Sequence, residues 1–340
     1  MNLVRPETSS DSLVPRMRAA AILGLGTSSR DLGKFQQGSS AEWVVGLPSA
    51  SEAVDAVLVF GGDGTVHRHL NSLVRLGAPV LVVPAGSGND FARALGLVKL
   101  RDSLAAWRTF SAGGGTVRAI DLGCITALGE GRGQHYYACV GGLGLDAEVS
   151  RRANGLPRWL RKSGGYALSL PPALFSFAAF RAKVWLNEED TATRDSGLEK
   201  AGSSTAQMES RDGLALRNDQ PTVLVAFANT PFYGDGMKIA PEAQPDDGLF
   251  DVCLIRGMDN FKLLWLFPTV YFGRHLRVKE VEYFRAARAV VETEHPLDIY
   301  ADGEFVCKTP AEFRIVRSAL RVITNGSGAK RSELRASSHE

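Results

Sequence analysis

The stretch Val54–Val74 constrains the fold of this chain more than any other part of the sequence. An apolar run, Ala56–Phe60, ends at Gly-Gly-Asp-Gly-Thr, after which Val66, Leu70 and Leu73 recur at helical spacing. The pattern predicts a buried strand, a glycine turn and a helix. Such a turn points backbone N–H groups at one place beside a helix N-terminus, which suits a phosphate group. Taken alone, the motif is also typical of a turn that only joins two elements.

A second strand and glycine turn follow shortly after the first. Ala78–Val83 is a continuous apolar run, which is typical of a parallel strand buried on both faces. It leads into Pro-Ala-Gly-Ser-Gly-Asn-Asp, and Phe91–Leu97 then has a helical pattern with Asn89 or Asp90 as its N-cap. Two such turns should lie side by side at the carboxyl edge of a parallel sheet, where ligands bind in α/β proteins. Together they favour a nucleotide or phosphate site over two purely structural turns.

The chain before this unit is short for a full α/β repeat. Ala19–Leu25 predicts a first strand that leads into Gly-Leu-Gly-Thr, but Ser29 stands where a dinucleotide turn would have its third glycine. Trp43–Val45 predicts one further short strand. A complete strand–helix–strand–helix unit scarcely fits before Val54.

The pattern changes at Val117. Short strand-like runs separated by turn residues predict an antiparallel β domain, interrupted by helical stretches at Trp159–Phe180 and Asn260–Leu276. The polar tract Glu188–Asp219 is predicted to be a flexible insert. The predicted organisation is an α/β nucleotide-binding domain with a Rossmann-like parallel sheet, followed by a mainly antiparallel β-sandwich domain. The predicted limits are 17–116 and 117–314, with 315–326 as a candidate to return to the first domain and disordered tails at 1–16 and 327–340.

The composition is that of a globular protein, because 44% of the 340 residues are hydrophobic and 22% are charged. A net charge of +2 argues against nucleic-acid binding, for which a clustered basic face is expected. The four cysteines lack zinc-like spacing, so we interpret them as reduced thiols in a cytoplasmic protein. No apolar run reaches the roughly 18 residues that span a bilayer. His67 and His69 face different sides of the predicted helix, and we expect them to be exposed rather than metal-bound.

Several carboxylates lie in strands or turns where they are able to act together. Asp121 interrupts a strand-like run, Asp247 lies in Pro-Asp-Asp-Gly, and Asp302 and Glu304 alternate on one side of a predicted extended segment. Each position also fits a solvated residue or an ordinary turn. In the functional interpretation, the Asp-Asp-Gly turn offers oxygen ligands to Mg²⁺. In the last pair, one carboxylate orients Mg²⁺ and the other accepts a proton from a hydroxyl group.

Together, these motifs resemble the diacylglycerol kinase catalytic-domain lipid kinases, a family that includes bacterial lipid kinases and sphingosine kinases. The resemblance covers residues 18–325. Gly-Gly-Asp-Gly-Thr is shared with NAD kinases and phosphofructokinases, whereas the stretches around Asn89, Asp247 and Glu304 single out the lipid kinases. The matching motifs occur in family order, at Gly61–Thr65, Pro84–Arg93, Gly142–Ala147, Pro241–Asp251 and Asp302–Glu304.

The resemblance implies a kinase that uses ATP and Mg²⁺ to phosphorylate a hydroxyl of diacylglycerol or a related lipid, such as a sphingoid base or phosphatidylglycerol. It implies an NAD kinase-like fold with the active site between the two domains. Glu304 matches the general base, Asp302 its partner, and Asp121 an acid of the network near the metal. The implied Mg²⁺ site comprises Gln244, Asp247 and Leu249. The implied nucleotide site comprises Gly61, Gly62, Asp63, Gly64, Thr65, Gly86, Ser87, Gly88, Asn89 and Asp90.

Two features leave alternatives open. The family opens with an Asn-Pro glycine loop where this chain has Gly24–Ser29, so a non-catalytic lipid-binding protein that has lost turnover through this loop is one alternative. A kinase for NAD or another soluble hydroxyl compound is a second enzyme alternative. The apolar stripe of Asn260–Leu276 favours packing against the core over membrane docking. A lipid substrate nevertheless implies peripheral contact with the inner face of the membrane. The sequence leaves the lipid, the preferred nucleotide and the oligomeric state open.

Overall fold

The computed structural model describes residues 17–49, 53–129, 133–156, 169, 172–175, 177–188, 210–211 and 214–325. The predicted tails and most of the helix predicted at Trp159–Phe180 lie outside these residues, as do residues 189–209 of the predicted insert. No helix in the described part of the chain is both long and apolar enough to cross a membrane.

The N-terminal part is a four-stranded parallel sheet with the strand order β2–β1–β3–β4. Its strands are β1 (Arg18–Leu23), β2 (Glu42–Val45), β3 (Ala56–Gly61) and β4 (Val80–Pro84). Every residue of β3 is buried, as expected for a strand inside a parallel sheet. Because the strands are parallel, the turns that follow β1, β3 and β4 leave the sheet at the same edge.

Helices follow these strands, and one of them is shorter than predicted. They are α1 (Ser29–Gln36), α2 (Asp63–Leu76), α3 (Asp90–Ala94) and α4 (Leu100–Ser111). Helix α2 buries Val66, Leu70 and Leu73 on one face, as their spacing predicts. Helix α3 ends before the predicted Leu97, because the chain turns at Gly96 with a φ of 77°.

The rest of the described chain is built mainly from antiparallel strands. All pairings among these strands are antiparallel, so the predicted fold class is confirmed. Two helices, α5 (Leu145–Gly155) and α6 (Asn260–Val270), lie in the connections, and a 3₁₀ turn, His275–Arg277, follows α6. The strands are β5 (Thr116–Ala127), β6 (Gln134–Tyr137), β7 (Val140–Gly144), β8 (Phe180–Glu188), β9 (Ser210–Arg211), β10 (Leu214–Asn218), β11 (Pro221–Ala228), β12 (Phe250–Arg256), β13 (Val281–Thr293), β14 (Asp298–Ala301), β15 (Glu304–Lys308) and β16 (Ala311–Thr324).

Strand β16 joins the two parts of the molecule. Most of its length pairs with β5, while Val322 near its end pairs in parallel with Val80 of β4. The antiparallel part has its own core, in which the rings of Phe227 and Phe313 stack with centroids 4.0 Å apart. The end of β16 thus reaches the first sheet, whereas the domain limits themselves stay a prediction.

Two predicted segments differ from the structure. Within the predicted insert, β10 pairs with β8, and Leu214 is buried in a small cluster with Trp185. A short apolar run, Leu214–Leu216, favours a strand there, but the polar composition of the whole tract hides it. Helix α6 ends at Val270 rather than at the predicted Leu276, because the chain turns at Gly273 with a φ of 67°.

Candidate active site

Two glycine turns pack directly against each other at the carboxyl edge of the parallel sheet. A Cβ atom at Gly86 would lie 2.5 Å from the Cα atom of Gly62, so only glycine allows this approach. The N–H of Ala85 donates to the carbonyl oxygen of Gly61 at 3.0 Å. The predicted side-by-side arrangement of the two turns is confirmed.

The turn after β1 packs against the turn after β3. The side chain of Thr65 fills the space between this turn and the turn after β3, because a Cβ atom at Gly24 or Gly61 would overlap Thr65 Oγ1. The N–H of Gly24 donates to the carbonyl oxygen of Phe60 at 2.7 Å. Three turns therefore meet here, although Ser29 replaces a third glycine, and Thr65 packs two of them together.

Asp63 joins the first turns of α2 and α3. Its Oδ2 accepts a hydrogen bond from the N–H of Asp90 and its Oδ1 from the N–H of Phe91, both at 3.0 Å. Burial raises the pKa of Asp63, these hydrogen bonds oppose the rise, and the charge of Asp302 adds to it. The carboxylate thereby holds the second glycine turn against the first.

Asn89 closes the turn after β4 on itself. Its Oδ1 accepts a hydrogen bond from the N–H of Gly86 at 2.8 Å, and its Nδ2 donates to the carbonyl oxygen of Gly86 at 2.7 Å. Its φ of 54° is left-handed, a conformation that asparagine tolerates. The amide thus shapes the loop, while Ser87 and Gly88 line the neighbouring cavity.

The carboxylates of Asp63, Asp90 and Asp235 converge on Gly88. One oxygen of each would lie 3.2, 3.6 and 3.0 Å, respectively, from a Cβ atom at Gly88. Burial raises the pKa of Asp90 to about 7, the charge of Asp63 adds to the rise, and the charge of Arg93 opposes it. Arg93 Nη1 donates to Asp90 Oδ1 at 2.6 Å, and the N–H of Asp235 donates to Asp90 Oδ2 at 3.1 Å. The repulsion among these carboxylates is one that a bound cation would relieve.

Asp302 is held mainly by backbone N–H groups. Its carboxylate accepts hydrogen bonds from the N–H groups of Ala138, Cys139 and Val140 at 2.8, 2.8 and 3.2 Å. His67 Nδ1 lies 3.3 Å from Asp302 Oδ2. Both His67 and His69 are half-buried, so the prediction that they are exposed is wrong. Burial lowers the pKa of His67, but the hydrogen bond and the charge of Asp302 raise it, and the rise prevails.

Glu304 is exposed beside the first turn of α2. Its Oε1 would lie 3.3 Å from a Cβ atom at Gly64. Asp302 and Gly303 form the turn between β14 and β15 with φ values of 49° and 84°. The predicted extended segment with both carboxylates on one side is therefore wrong. The turn sends Asp302 towards the buried backbone and leaves Glu304 at the surface.

A cavity of about 190 Å³ connects the glycine turns to the Asp302 turn. Glu304 lies just outside its walls, one residue after Gly303. No sequence motif pointed to Cys139 or Asp235 as site residues, and only the Gly-Leu-Gly-Leu-Asp motif pointed to Asp146. The walls are formed by Asp63, Ser87, Gly88, Asp90, Cys139, Val140, Asp146, Ser150, Ala153, Tyr233, Gly234, Asp235, Tyr300, Asp302 and Gly303.

Asp121 does not line this cavity. Its Oδ2 accepts a hydrogen bond from the N–H of Gly248, and its Oδ1 accepts one from the N–H of Ser318, both at 2.7 Å. Its own N–H donates to the carbonyl oxygen of Pro245 at 2.6 Å. Asp121 therefore fastens the loop before β12 to β16, and its implied place in an acid network near the metal stays a prediction.

The implied Mg²⁺ residues Gln244, Asp247 and Leu249 lie in this same loop. Asp247 Oδ1 accepts a hydrogen bond from the N–H of Leu249 at 3.1 Å, and Asp247 Oδ2 pairs with Arg285. Burial raises the pKa of Asp247, and the charge of Arg285 opposes the rise. The guanidinium of Arg285 opposes the charge of this carboxylate, and the implied Mg²⁺ site, which is made partly from backbone oxygens, stays a prediction. The described ranges contain no group of three or more His, Cys, Asp or Glu placed to hold one metal ion by themselves.

Comparison with protein families gives two adjacent matches. Residues 32–125 match the diacylglycerol kinase catalytic domain, and residues 139–324 match the YegS C-terminal NAD kinase beta sandwich-like domain. The second match alone covers more than half of the chain. The chain belongs to the diacylglycerol kinase family of lipid kinases. Family membership confirms the resemblance and the enzyme class, and it implies a nucleotide substrate.

Individual relatives of this lipid kinase agree with the family. A diacylglycerol kinase from Mycobacterium tuberculosis is 31% identical over 276 residues, which cover 81% of this chain and 78% of that protein. The putative lipid kinase YtlR from Bacillus subtilis is 28% identical over 270 residues, covering 79% and 80%. The crystal structure of a putative diacylglycerol kinase from Bacillus anthracis has a TM-score of 0.65 at 20% identity, covering 92% of this chain and 96% of that one. The last comparison supports the fold.

Proposed function

We propose that this lipid kinase transfers the γ-phosphoryl group of ATP, with Mg²⁺, to a hydroxyl of diacylglycerol or a related lipid. The observation that supports the proposal best is the cavity, which has glycine turns on one side and the Asp302 turn on the other. In phosphoryl transfer the attacking and leaving oxygens lie roughly in line, on opposite sides of the phosphorus. The donor and the acceptor hydroxyl therefore have to bind on opposite sides of one cavity.

The donor binds at the glycine turns. The N-terminus of α2 and the N–H groups of Ser87 and Gly88 in the second turn offer partial positive charge to the phosphates. Mg²⁺ in proteins is commonly held by one or two carboxylates together with substrate phosphates. Asp63 and Asp235 fit that role best, because one oxygen of each lies close to Gly88, whereas Asp90 is already paired with Arg93. When bound, Mg²⁺ neutralises charge on the transferred phosphoryl group.

The acceptor hydroxyl approaches from the side of the Asp302 turn. Glu304 is exposed there and accepts the hydroxyl proton as the oxygen attacks. Asp302 acts as a positioning residue, because its hydrogen bonds to the backbone of 138–140 fix the turn that presents Glu304. The protein contributes mainly positioning and charge stabilisation, as in other phosphoryl transfers.

The test is transfer of label from γ-labelled ATP with Mg²⁺ to a panel containing diacylglycerol, a sphingoid base and phosphatidylglycerol. We expect a labelled lipid, and we expect Glu304→Gln to lower turnover by about 10²-fold or more while melting is unchanged. Glu294→Gln, at an exposed site on the β13–β14 connection, is the matched control.

The outcomes separate the alternatives. Label on NAD without lipid would replace the lipid acceptor by a soluble one. Lipid binding without transfer from ATP, GTP or CTP would indicate a non-catalytic lipid-binding protein. Wild-type turnover in Glu304→Gln would remove Glu304 from the proton-accepting role while leaving the kinase proposal standing.

A further inference from the structure

Helix α6 has apolar side chains on two opposite sides, and the described chain covers only one of them. The inner side packs into the core through Leu263, Leu266 and Val270. The outer side, with the turn that follows, is called the α6 face here. It consists of four exposed side chains: Phe261 (72% exposed), Leu264 (38%), Trp265 (80%) and Phe272 (74%). The expectation that core packing explains this helix therefore holds for its inner side alone.

The spacing of the α6 face places its members together. Positions 261, 264 and 265 follow helical periodicity on one side of α6, and the exposed Phe272 lies in the turn just after the helix. Monomeric soluble proteins seldom expose contiguous groups of large apolar side chains, and such patches usually mark a binding surface. An apolar partner is thus needed on this side of the helix.

The charge around the α6 face favours an anionic partner. From Asp259 to Glu280 the sequence has four Lys or Arg and two acids, of which Asp259 caps α6 and accepts the N–H of Lys262. Arg274 and Arg277 are exposed, while Lys262 and Lys279 both pair with Glu280, at 2.6 and 3.8 Å. Large apolar side chains flanked by basic ones are typical of elements that lie in a membrane interface.

A second copy of the chain fits the α6 face less well. In a two-fold dimer the same patch meets itself, so the basic residues around it would face one another. Like charges that meet across an interface weaken it. An anionic bilayer supplies both the apolar interior and the opposite charge.

The α6 face also lies next to the rim of the candidate active-site cavity. The N–H of Lys238 donates to the carbonyl oxygen of Val270 at 3.1 Å, which ties the end of α6 to the 233–238 segment. Tyr233 in that segment pairs with Met237 and lines the cavity. Burial raises the pKa of Tyr271, and the charge of Asp235 adds to the rise, which agrees with this proximity.

We propose that the α6 face docks on an anionic lipid bilayer, with Trp265 and Phe261 as its main anchors, and brings the cavity rim to the lipid surface. The proposal deepens the proposed lipid kinase function by naming the surface through which the acceptor is reached. Docking itself needs neither the nucleotide nor the acceptor, so the two proposals are able to fail separately.

The experiment is co-sedimentation of the full chain with phosphatidylcholine vesicles, with and without phosphatidylserine, in the absence of nucleotide and diacylglycerol. We expect binding to the vesicles that contain phosphatidylserine. Trp265→Glu should weaken it about tenfold, since it replaces an interfacial aromatic anchor by a like-charged group. Trp265→Phe should restore most of it. The matched control is Val45→Glu on strand β2, where the native side chain is 62% exposed and apolar.

Four outcomes would overturn the docking proposal. The first is equal vesicle binding by wild type and Trp265→Glu. The second is equal loss in Val45→Glu. The third is a wild-type dimer that Trp265→Glu dissociates, because the face would then cover a second copy. The fourth concerns quenching of tryptophan fluorescence by iodide in the absence of vesicles. If Trp265→Phe leaves the quenching unaltered, Trp265 is shielded from iodide, and another segment of the chain covers the face.

Turnover distinguishes this failure from failure of the proposed function. Trp265→Glu should retain wild-type turnover on a dispersed short-chain acceptor and lose it only on vesicles. Vesicle binding without any phosphoryl transfer by the wild type would reject the kinase proposal and leave the docking proposal intact.

Discussion

The two carboxylates of the Asp302 turn, Asp302 and Glu304, have different roles. Asp302 accepts hydrogen bonds from three backbone N–H groups and lies beside His67, so its lone pairs are largely committed. Glu304 is exposed beside the first turn of α2. Only Glu304 is therefore well placed to take a proton from an arriving hydroxyl.

Substitution of the two carboxylates should have different effects. Asp302→Asn turns an amide N–H₂ towards backbone N–H donors, so we expect the free energy of unfolding to fall by about 1–3 kcal/mol and turnover to fall with it. Glu304→Gln should reduce turnover alone. Denaturant unfolding and turnover on the same preparations check this. An Asp302→Asn protein that is fully stable but inactive would instead give Asp302 a direct part in the reaction.

The contact between the glycine turns gives a second prediction at this scale. Gly86→Ala places a methyl group against the backbone of Gly62, so we expect a cost of about 1–3 kcal/mol in stability and weaker nucleotide binding. Gly33→Ala in α1 is the control, since the space around Gly33 is open and alanine favours helices by about 0.5–1 kcal/mol. Unchanged nucleotide affinity in Gly86→Ala would separate these turns from the phosphate site.

Secondary-structure elements show which features the sequence was able to predict. Strands β3 and β4 and the turns after them follow from local apolar runs and glycines, and their meeting follows from the geometry of a parallel sheet. The partners of Asp302 lie more than 160 positions earlier in the chain, so no local pattern indicated that its carboxylate is occupied. The spacing of apolar residues in α6 predicted an apolar side of the helix. The spacing does not show whether other parts of the chain pack against that side.

Paired strands β12 and β13 give a prediction about pH. Asp251 is fully buried opposite Arg285, with 3.6 Å between Arg285 Nε and Asp251 Oδ1. Burial raises the pKa of Asp251 from 3.8 to about 7, and the charge of Arg285 opposes the rise. As the pH rises between these values, the unfolded chain loses this proton first. The contribution of Asp251 to the free energy of unfolding therefore falls from about pH 4 to about pH 7.

Asp251→Asn should remove this part of the pH dependence. A tenfold change in a protonation constant corresponds to about 1.4 kcal/mol. We therefore expect the free energy of unfolding of Asp251→Asn, relative to that of wild type, to increase by about 2–4 kcal/mol from acid to neutral pH. Denaturant unfolding at pH 4 and pH 8 measures the difference. Asp298→Asn, on the surface of β14, is the control. Parallel pH curves for wild type and Asp251→Asn would refute the prediction.

At the scale of the whole molecule, β16 connects the parallel sheet to the antiparallel part, and Asp121 secures it. The strand has an irregularity between Val316 and Leu320, where Ser318 has a φ of 52°. Asp121 accepts the N–H of Ser318 there and also binds the N–H of Gly248 in the loop before β12. One carboxylate thus ties the connecting strand to a loop on the neighbouring part of the sheet.

Asp121→Asn decides between this connecting role and the metal-network role that the family resemblance implies. The asparagine side chain keeps one acceptor oxygen for one of the two backbone N–H donors, Gly248 and Ser318, but turns its own N–H₂ group towards the second. We therefore expect the free energy of unfolding to fall by about 2–3 kcal/mol. The Mg²⁺ concentration for half-maximal turnover should stay as in wild type, because Asp121 does not line the cavity that Asp63 lines and its carboxylate accepts from the backbone of Gly248 and Ser318. Asp246→Asn removes a surface pair with Arg118 and should cost less than about 1 kcal/mol. A stable Asp121→Asn protein with an altered Mg²⁺ requirement would assign Asp121 to the metal instead.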